Sequence, residues 1–238
     1  MTPFVADPVA RLPLALPVAP PGGSTEPLTT AHVAVDPPRR YRTIVADPPW
    51  RVEGSQGDGR PWASKGGRRN RETFFPYETQ TLDWIQSRPV GDITEKDAHL
   101  YLWVTAKFNR LGHGVATTEA WGFECVSEIV WDKINFGLGK FPRPQHEILL
   151  VCRRGTLPFE TRNNGSVQRW HAPRRKNNGG RIHSAKPDGS YDLIEQASPG
   201  PYLELFARTA RLGWDSWGDE ALNHIDLEAL NHVDLGAA

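Results

Sequence analysis

Tyr41-Arg42-Thr43-Ile44-Val45-Ala46-Asp47-Pro48-Pro49-Trp50 is the stretch on which the reading of this chain turns. Thr43 to Ala46 is a short apolar run, rich in β-branched residues, and it stops at an acid and two prolines. β-branched side chains suit strands, and an unbroken apolar run reads as a strand buried on both faces. Two successive prolines remove two backbone donors and fix φ, so the strand ends in a stiff corner. The corner carries one carboxylate and one indole.

That combination suits a planar ring bearing an exocyclic amino group. The Asp47 side chain and a proline-peptide carbonyl would accept the two N–H hydrogens, while Trp50 or a neighbouring aromatic stacks on the ring. Taken by itself the tetrapeptide also fits a plain strand-ending turn with an ordinary cap.

Working outward from the corner, further strands are expected at His99–Val104, Glu128–Trp131, Ile148–Cys152, Tyr202–Ala207 and Trp214–Trp217. Thr81 is placed to cap a short helix through Ile85, and a longer helix is expected from Lys107 to Trp121, with Gly122 just past its end. Pro187 to Gln196 reads as another helix, with its proline in the first turn. Strands alternating with helices predict an α/β fold on a mainly parallel sheet, where ligands collect at the carboxyl ends of the strands. Asp47 sits at one such end and the loop after Ala207 at another.

The chain has 238 residues, 38% of them hydrophobic and 24% charged, with no net charge. That length allows one large domain or at most two small ones, and the neutral balance excludes a uniformly basic coat but not a local basic face. Residues 1–38 hold nine of the 21 prolines and read as a tail. Residues 39–220 read as the folded domain. Residues 221–238 contain a repeated Ala-Leu-Asn-His motif, at Ala221 and again at Ala229, and read as a helix or tail. The sequence has no run of 18 apolar residues, so no membrane-spanning helix is expected. Cys125 and Cys152 form no CxxC pair, which argues against a zinc site or disulfide framework and for a reducing, cytoplasmic setting.

The strand and its corner resemble the amino-methyltransferases that modify adenine. The nearer resemblance is to the group containing the catalytic subunit of the mRNA adenosine methyltransferase and its bacterial and phage relatives. It runs from Tyr41 to Glu220 through segments in the family's order: Asp97–Thr105, Glu119–Phe123, Ile129–Lys133, Gln145–Glu147, His183–Asp188, Ser198–Gly200, Leu203–Arg208 and Gly213–Gly218. The resemblance implies a Rossmann-like fold of permuted order, with the catalytic corner first and the cofactor strand last. It implies S-adenosylmethionine as cofactor and no metal.

Residue by residue, the resemblance places catalysis on Asp47, Pro48, Pro49 and Trp50. It places the cofactor against Asp47, Ser184, Lys186, Phe206, Arg208, Asp219 and Glu220, with Lys186 facing the carboxylate. Asp219 departs from the family, which usually carries an amide there. Tyr77, Trp131, Lys133 and Glu147 match positions near the target base. Two loops concentrate positive charge. Residues 51–71 hold six Lys/Arg, and residues 161–187 hold seven with no acid, including Arg174, Arg175 and Lys176. The latter three are placed to meet phosphates. The expected partner is nucleic acid, DNA ahead of RNA, with a homodimer or partner subunit left open. Competing readings are an RNA adenosine methyltransferase, a cytosine amino-methyltransferase and a catalytically silent nucleic-acid-binding subunit.

Overall fold

The computed structural model describes residues 40–51, 79–136, 141–174 and 185–218. Among them, seven strands form a single sheet: β1 (Tyr41–Ala46), β2 (Thr94–Thr105), β3 (Glu124–Asp132), β4 (His146–Arg154), β5 (Val167–Arg169), β6 (Tyr202–Leu205) and β7 (Trp214–Trp217). Their order across the sheet is β5-β3-β4-β2-β1-β6-β7. β1 lies at the heart of the parallel part, flanked by β2 and β6, and β6 is in turn parallel to β7. Five of its six residues are buried, as its unbroken apolar run requires.

β4 is antiparallel to both of its neighbours, β2 and β3. Every other strand therefore runs the same way as β1, and the sheet is mainly parallel. The reversal has a consequence for the site. Glu147, at the start of β4, pairs with Thr105 and Trp131 at the far ends of β2 and β3. An amino-terminal strand residue is thereby delivered to the edge where the other strands finish.

Helices cover both faces. On one side are α1 (Leu82–Gln86), α2 (Ala106–Arg110) and α3 (His113–Ala120); on the other is α4 (Asp188–Ala197). Ile85 and Phe108 join Ile44, Leu100, Leu102, Leu150 and Leu203 in the first core. Tyr191, Leu193 and Ile194 of α4 join Val45, Tyr101, Trp103, Leu149 and Trp131 in the second. These two sets are the alternate positions of the central strands, as the two-residue period of a strand demands.

Local signals explain several boundaries. The Thr81 hydroxyl accepts the Trp84 amide at 3.2 Å and starts α1. After α3, Phe123 N donates to Thr118 O and Gly122 N to Glu119 O, both at 2.9 Å, and Gly122 has φ +81°. This is the paired closure that a left-handed glycine allows. The single helix expected over Lys107–Trp121 is instead two. Gly112 at φ +75° breaks it, and α2 ends at Arg110. Pro187 is the residue before α4 rather than its first turn, with ψ 140°. Within the basic stretch, Val167–Arg169 pair with Val130–Asp132 as β5, a strand that the sequence pattern does not announce. The tails at 1–38 and 221–238 and the loop beyond Arg51 fall outside the described residues.

Candidate active site

β1 delivers Asp47 to the carboxyl edge of the sheet, and the corner behind it is braced on three sides. Asp47 N approaches Leu205 O at 3.5 Å, Trp50 N donates to Pro48 O at 2.8 Å, and Gln80 N donates to Pro49 O at 2.8 Å. The carbonyls of Pro48 and Pro49 thus each already accept one backbone N–H. A carbonyl oxygen has two lone pairs, so Pro48 O keeps one for a further donor.

Trp50 departs from the stacking role read from the sequence. Its indole is 8% exposed, donates from Nε1 to Trp103 O at 3.1 Å and packs on Phe108. It locks the corner onto β2 from inside the core. Trp131 is likewise a core residue at 3% exposure, with Nε1 donating to Trp170 O at 2.9 Å. An indole satisfied in this way offers its edge to the protein, and its body fills the second core.

Four side chains of alternating sign run along the edge. Lys186, just before α4, places Nζ 2.6 Å from Asp47 Oδ2 and 3.5 Å from Glu147 Oε2. Glu147 Oε1 accepts from Lys133 Nζ. Lys186 has only 8% of its side chain exposed, and Glu147 14%. Burial works against the Lys186 ammonium, but Asp47 and Glu147 outweigh it and raise its pKa. Burial also opposes charge on Glu147, yet Lys186 and Lys133 overcome it and hold the carboxyl below its ordinary range. At Asp47 burial prevails over Lys186, and the carboxyl is pushed up. Lys133 and Lys186 also lie 5.1 Å and 5.5 Å from the ring centres of Trp131 and Trp103, within cation–π range.

Arg208 follows β6, and its charge is felt at Asp47, Lys186 and Glu204. Phe206 has φ +62° and packs edge-on against Trp217 at 5.2 Å. The turn there is tight. A side chain at Gly218 would meet Ala207 O at 2.3 Å, so only glycine lets the end of β7 lie against it. Arg174 is exposed, outside this group. Tyr77, Arg175, Lys176, Ser184, Asp219 and Glu220 lie outside the described residues.

Two further groups share the edge without having been singled out from sequence. Glu204 accepts from Tyr191 OH at 2.7 Å, and burial raises its pKa. Its signal was available: a charged residue between Leu203 and Leu205 in a strand otherwise apolar. Trp103 Nε1 is buried without a hydrogen-bond partner among the described residues, under the Lys186 ammonium. Buried donors are rarely left so.

A mainly parallel α/β sheet with helices on both faces, carrying an acid-proline corner beside a buried lysine at its carboxyl edge, defines a Rossmann-like enzyme. The chain belongs to the MT-A70 family, whose profile matches residues 41–220. It is 32% identical to the type II methyltransferase M.MunI of Mycoplasma sp, over 77% of this chain and 79% of that protein. It is 31% identical to the human N(6)-adenine-specific methyltransferase METTL4, over 79% of this chain but 39% of that protein. With the human N(6)-adenosine-methyltransferase catalytic subunit METTL3 it shares 26% identity over 76% of this chain and 28% of that protein.

Proposed function

We propose that this chain is an S-adenosylmethionine-dependent methyltransferase that modifies the exocyclic amino group of adenine in nucleic acid, with DNA ahead of RNA as substrate. The observation that carries the reading is the buried Lys186 ammonium held 2.6 Å from Asp47 at the end of β1. One fixed cation beside one fixed anion is the mirror of an amino-acid zwitterion, and the amino-acid end of S-adenosylmethionine is such a group. The donor set therefore fits this cofactor. Lys186 would hold its carboxylate and Asp47 its amine, with Arg208, Phe206 and the Gly218 turn beside the nucleoside. When bound, the cofactor supplies an electrophilic methyl on a sulfonium.

The remaining work falls to the chain. An adenine amino group is a weak nucleophile because its lone pair is delocalised into the ring. Asp47 Oδ and the second lone pair of Pro48 O accept its two hydrogens and favour the pyramidal nitrogen. Acceptors fixed in a water-poor site stabilise developing positive charge without reorganising. Trp50 and Gln80 hold those acceptors in place. Glu147 holds Lys186 and Lys133 from the opposite side. No covalent enzyme intermediate is needed. In a duplex the base must leave the stack, at a cost on the order of a few kcal/mol.

Residues 39–220 form the catalytic domain in this reading. The preference for DNA is supported by the 32% identity to the type II methyltransferase, against 26% to METTL3. The test is nucleoside mass spectrometry of DNA and RNA oligonucleotides after incubation with the protein and isotopically labelled cofactor. Label on N6 of deoxyadenosine is expected. Label on cytosine would overturn the adenine assignment, label on RNA alone the DNA preference, and cofactor binding with no transfer to any oligonucleotide the enzyme itself.

A further inference from the structure

We propose that Cys125 and Cys152 are a cross-strand dithiol that small-molecule disulfides convert reversibly into an intramolecular disulfide, a modification site independent of the methyl-transfer reading. The two residues are direct partners in the antiparallel β3–β4 pair. Directly opposed residues of antiparallel strands have Cα atoms about 4.5–5.5 Å apart and side chains on one face. Disulfides span roughly 4.4–6.8 Å between Cα atoms, so no strand has to move. Both side chains face the same core.

The pair is asymmetric, and the strands around it are held in place. Cys152 is fully buried while Cys125 is partly exposed. The pairing slips between Cys125 and Ser127, a bulge of the kind that re-aims a side chain at a strand end. The adjoining rung is fastened by Arg153, whose Nε and Nη2 both lie 3.1 Å from Glu124 Oε2, so the strands are held together around the bulge. Cys125 Sγ lies 3.6 Å from Ser127 O, and the neighbouring Cys152 thiol lowers the pKa of Cys125, while the nearness of Cys125 and its own burial raise that of Cys152. Thiolate, not thiol, is the nucleophile in exchange. Cys125 is thus both the reachable and the reactive member, and Cys152 the one that resolves.

The chemistry balances in two exchanges. The Cys125 thiolate attacks one sulfur of a low-molecular-weight disulfide, forming a mixed disulfide and expelling one thiolate. Cys152 gives its proton to that thiolate and attacks Cys125 Sγ, expelling the second. The protein loses two electrons and two hydrogens, and the external disulfide becomes two thiols. The bond formed staples β3 to β4 at the end of the hairpin away from Lys133 and Glu147.

The test uses the full chain, folded, with an excess of oxidised glutathione in mildly alkaline buffer, followed by intact-mass and peptide analysis without reduction. The wild type should lose two hydrogens, show a Cys125–Cys152 linked peptide, and recover both thiols with a reductant. Cys152→Ala should stop at a glutathione adduct on Cys125. Cys125→Ser should leave Cys152 unmodified until denaturant is added. The proposal is overturned if the wild type stops at the mixed adduct with Cys152 still free, if Cys152 reacts in folded Cys125→Ser, or if the linkage forms only after unfolding. The wild-type arm decides even if a variant fails to fold, and methyl transfer is not its readout.

Discussion

At the carboxyl edge of the sheet Asp47, Lys186, Glu147 and Lys133 alternate in charge, whereas His99 and Tyr101 of β2 and Ser198 after α4 are linked with no formal charge at all. The neutral group is buried and the ionic one only partly so, and both join strands to the segment around α4. His99 is fully buried, and burial lowers its pKa, so the ring is neutral. Its Nε2–H donates to Leu157 O at 3.0 Å, and its Nδ1 accepts from Ser198 Oγ at 2.7 Å. Ser198 Oγ in turn accepts from Tyr101 OH at 2.8 Å. Every proton in that chain has a destination.

The ionic edge is a different kind of object. Taking charges out of water is expensive, and a buried ion pair seldom does more than break even against apolar packing. A fold that needed only to be stable would do better with the neutral arrangement. In the reading proposed above, charges kept where strands end, beside a Trp103 indole N–H that has no partner among the described residues, are held for a ligand.

The largest effect should come from removing the cation shared at the edge. Lys186→Ala leaves Asp47 and Glu147 partly buried and facing each other. Breaking a fully buried pair costs roughly 3–5 kcal/mol, and with Asp47 still partly exposed about 2 kcal/mol is expected. The loss should shrink as pH falls, because either carboxyl can then take up a proton. Chemical denaturation across a pH series checks this, and titration calorimetry should show cofactor affinity reduced by about tenfold or more. A variant as stable as wild type with unchanged affinity would place Lys186 among ordinary surface lysines.

The neutral network should respond in the opposite sense. The folded-state pKa of His99 lies below its unfolded value near 6.5, so unfolding takes up a proton at low pH. Its contribution is complete above that value and is lost as pH falls below it. His99→Phe leaves Leu157 O without its donor and Ser198 Oγ with Tyr101 as its remaining partner, and should cost about 1–3 kcal/mol at neutral pH. It should also flatten the decline in stability just below pH 6.5, leaving cofactor affinity alone. A steeper acid decline in the variant would show that the ring carries a proton in the fold.

The smallest effect tests whether the basic stretch serves the edge at all. Neutralising Arg174, Arg175 and Lys176 together should weaken oligonucleotide binding and lower its dependence on salt by roughly one slope unit for each phosphate they had neutralised. Stability should hold, since Arg174 is exposed. An unchanged salt slope would reduce the segment to solvated surface.

Much of the frame is legible in the residues alone. The run at Thr43–Ala46 is apolar at nearly every position and ends in two prolines, and it is indeed the strand between β2 and β6. Thr81 and Gly122 marked helix ends because hydroxyl capping and positive φ are local requirements. What could not be read is what locality does not encode. Hydrophobicity along Ile148–Cys152 is the same in either direction, so it cannot announce that β4 runs backward. That reversal alone brings Glu147 to the edge. Lys186 and Glu147 are far apart along the chain, and no spacing rule joins them. Trp50 and Trp131 show the same limit at the level of one side chain. An indole next to an acid-proline corner can turn outward to a ligand or inward to a carbonyl, and here Trp103 O and Trp170 O are the partners.

The central claim is that the carboxylate at the end of β1 acts on the reacting amine. Single-turnover methyl transfer by Asp47→Asn, measured beside wild type and with thermal unfolding of both, tests it most directly. The substitution keeps shape and removes charge, so the rate should fall by about 10²–10³, the loss expected when one fixed group is taken from a developing charge. Unfolding should move little by comparison. A rate within a few-fold of wild type on a properly folded variant would contradict the account.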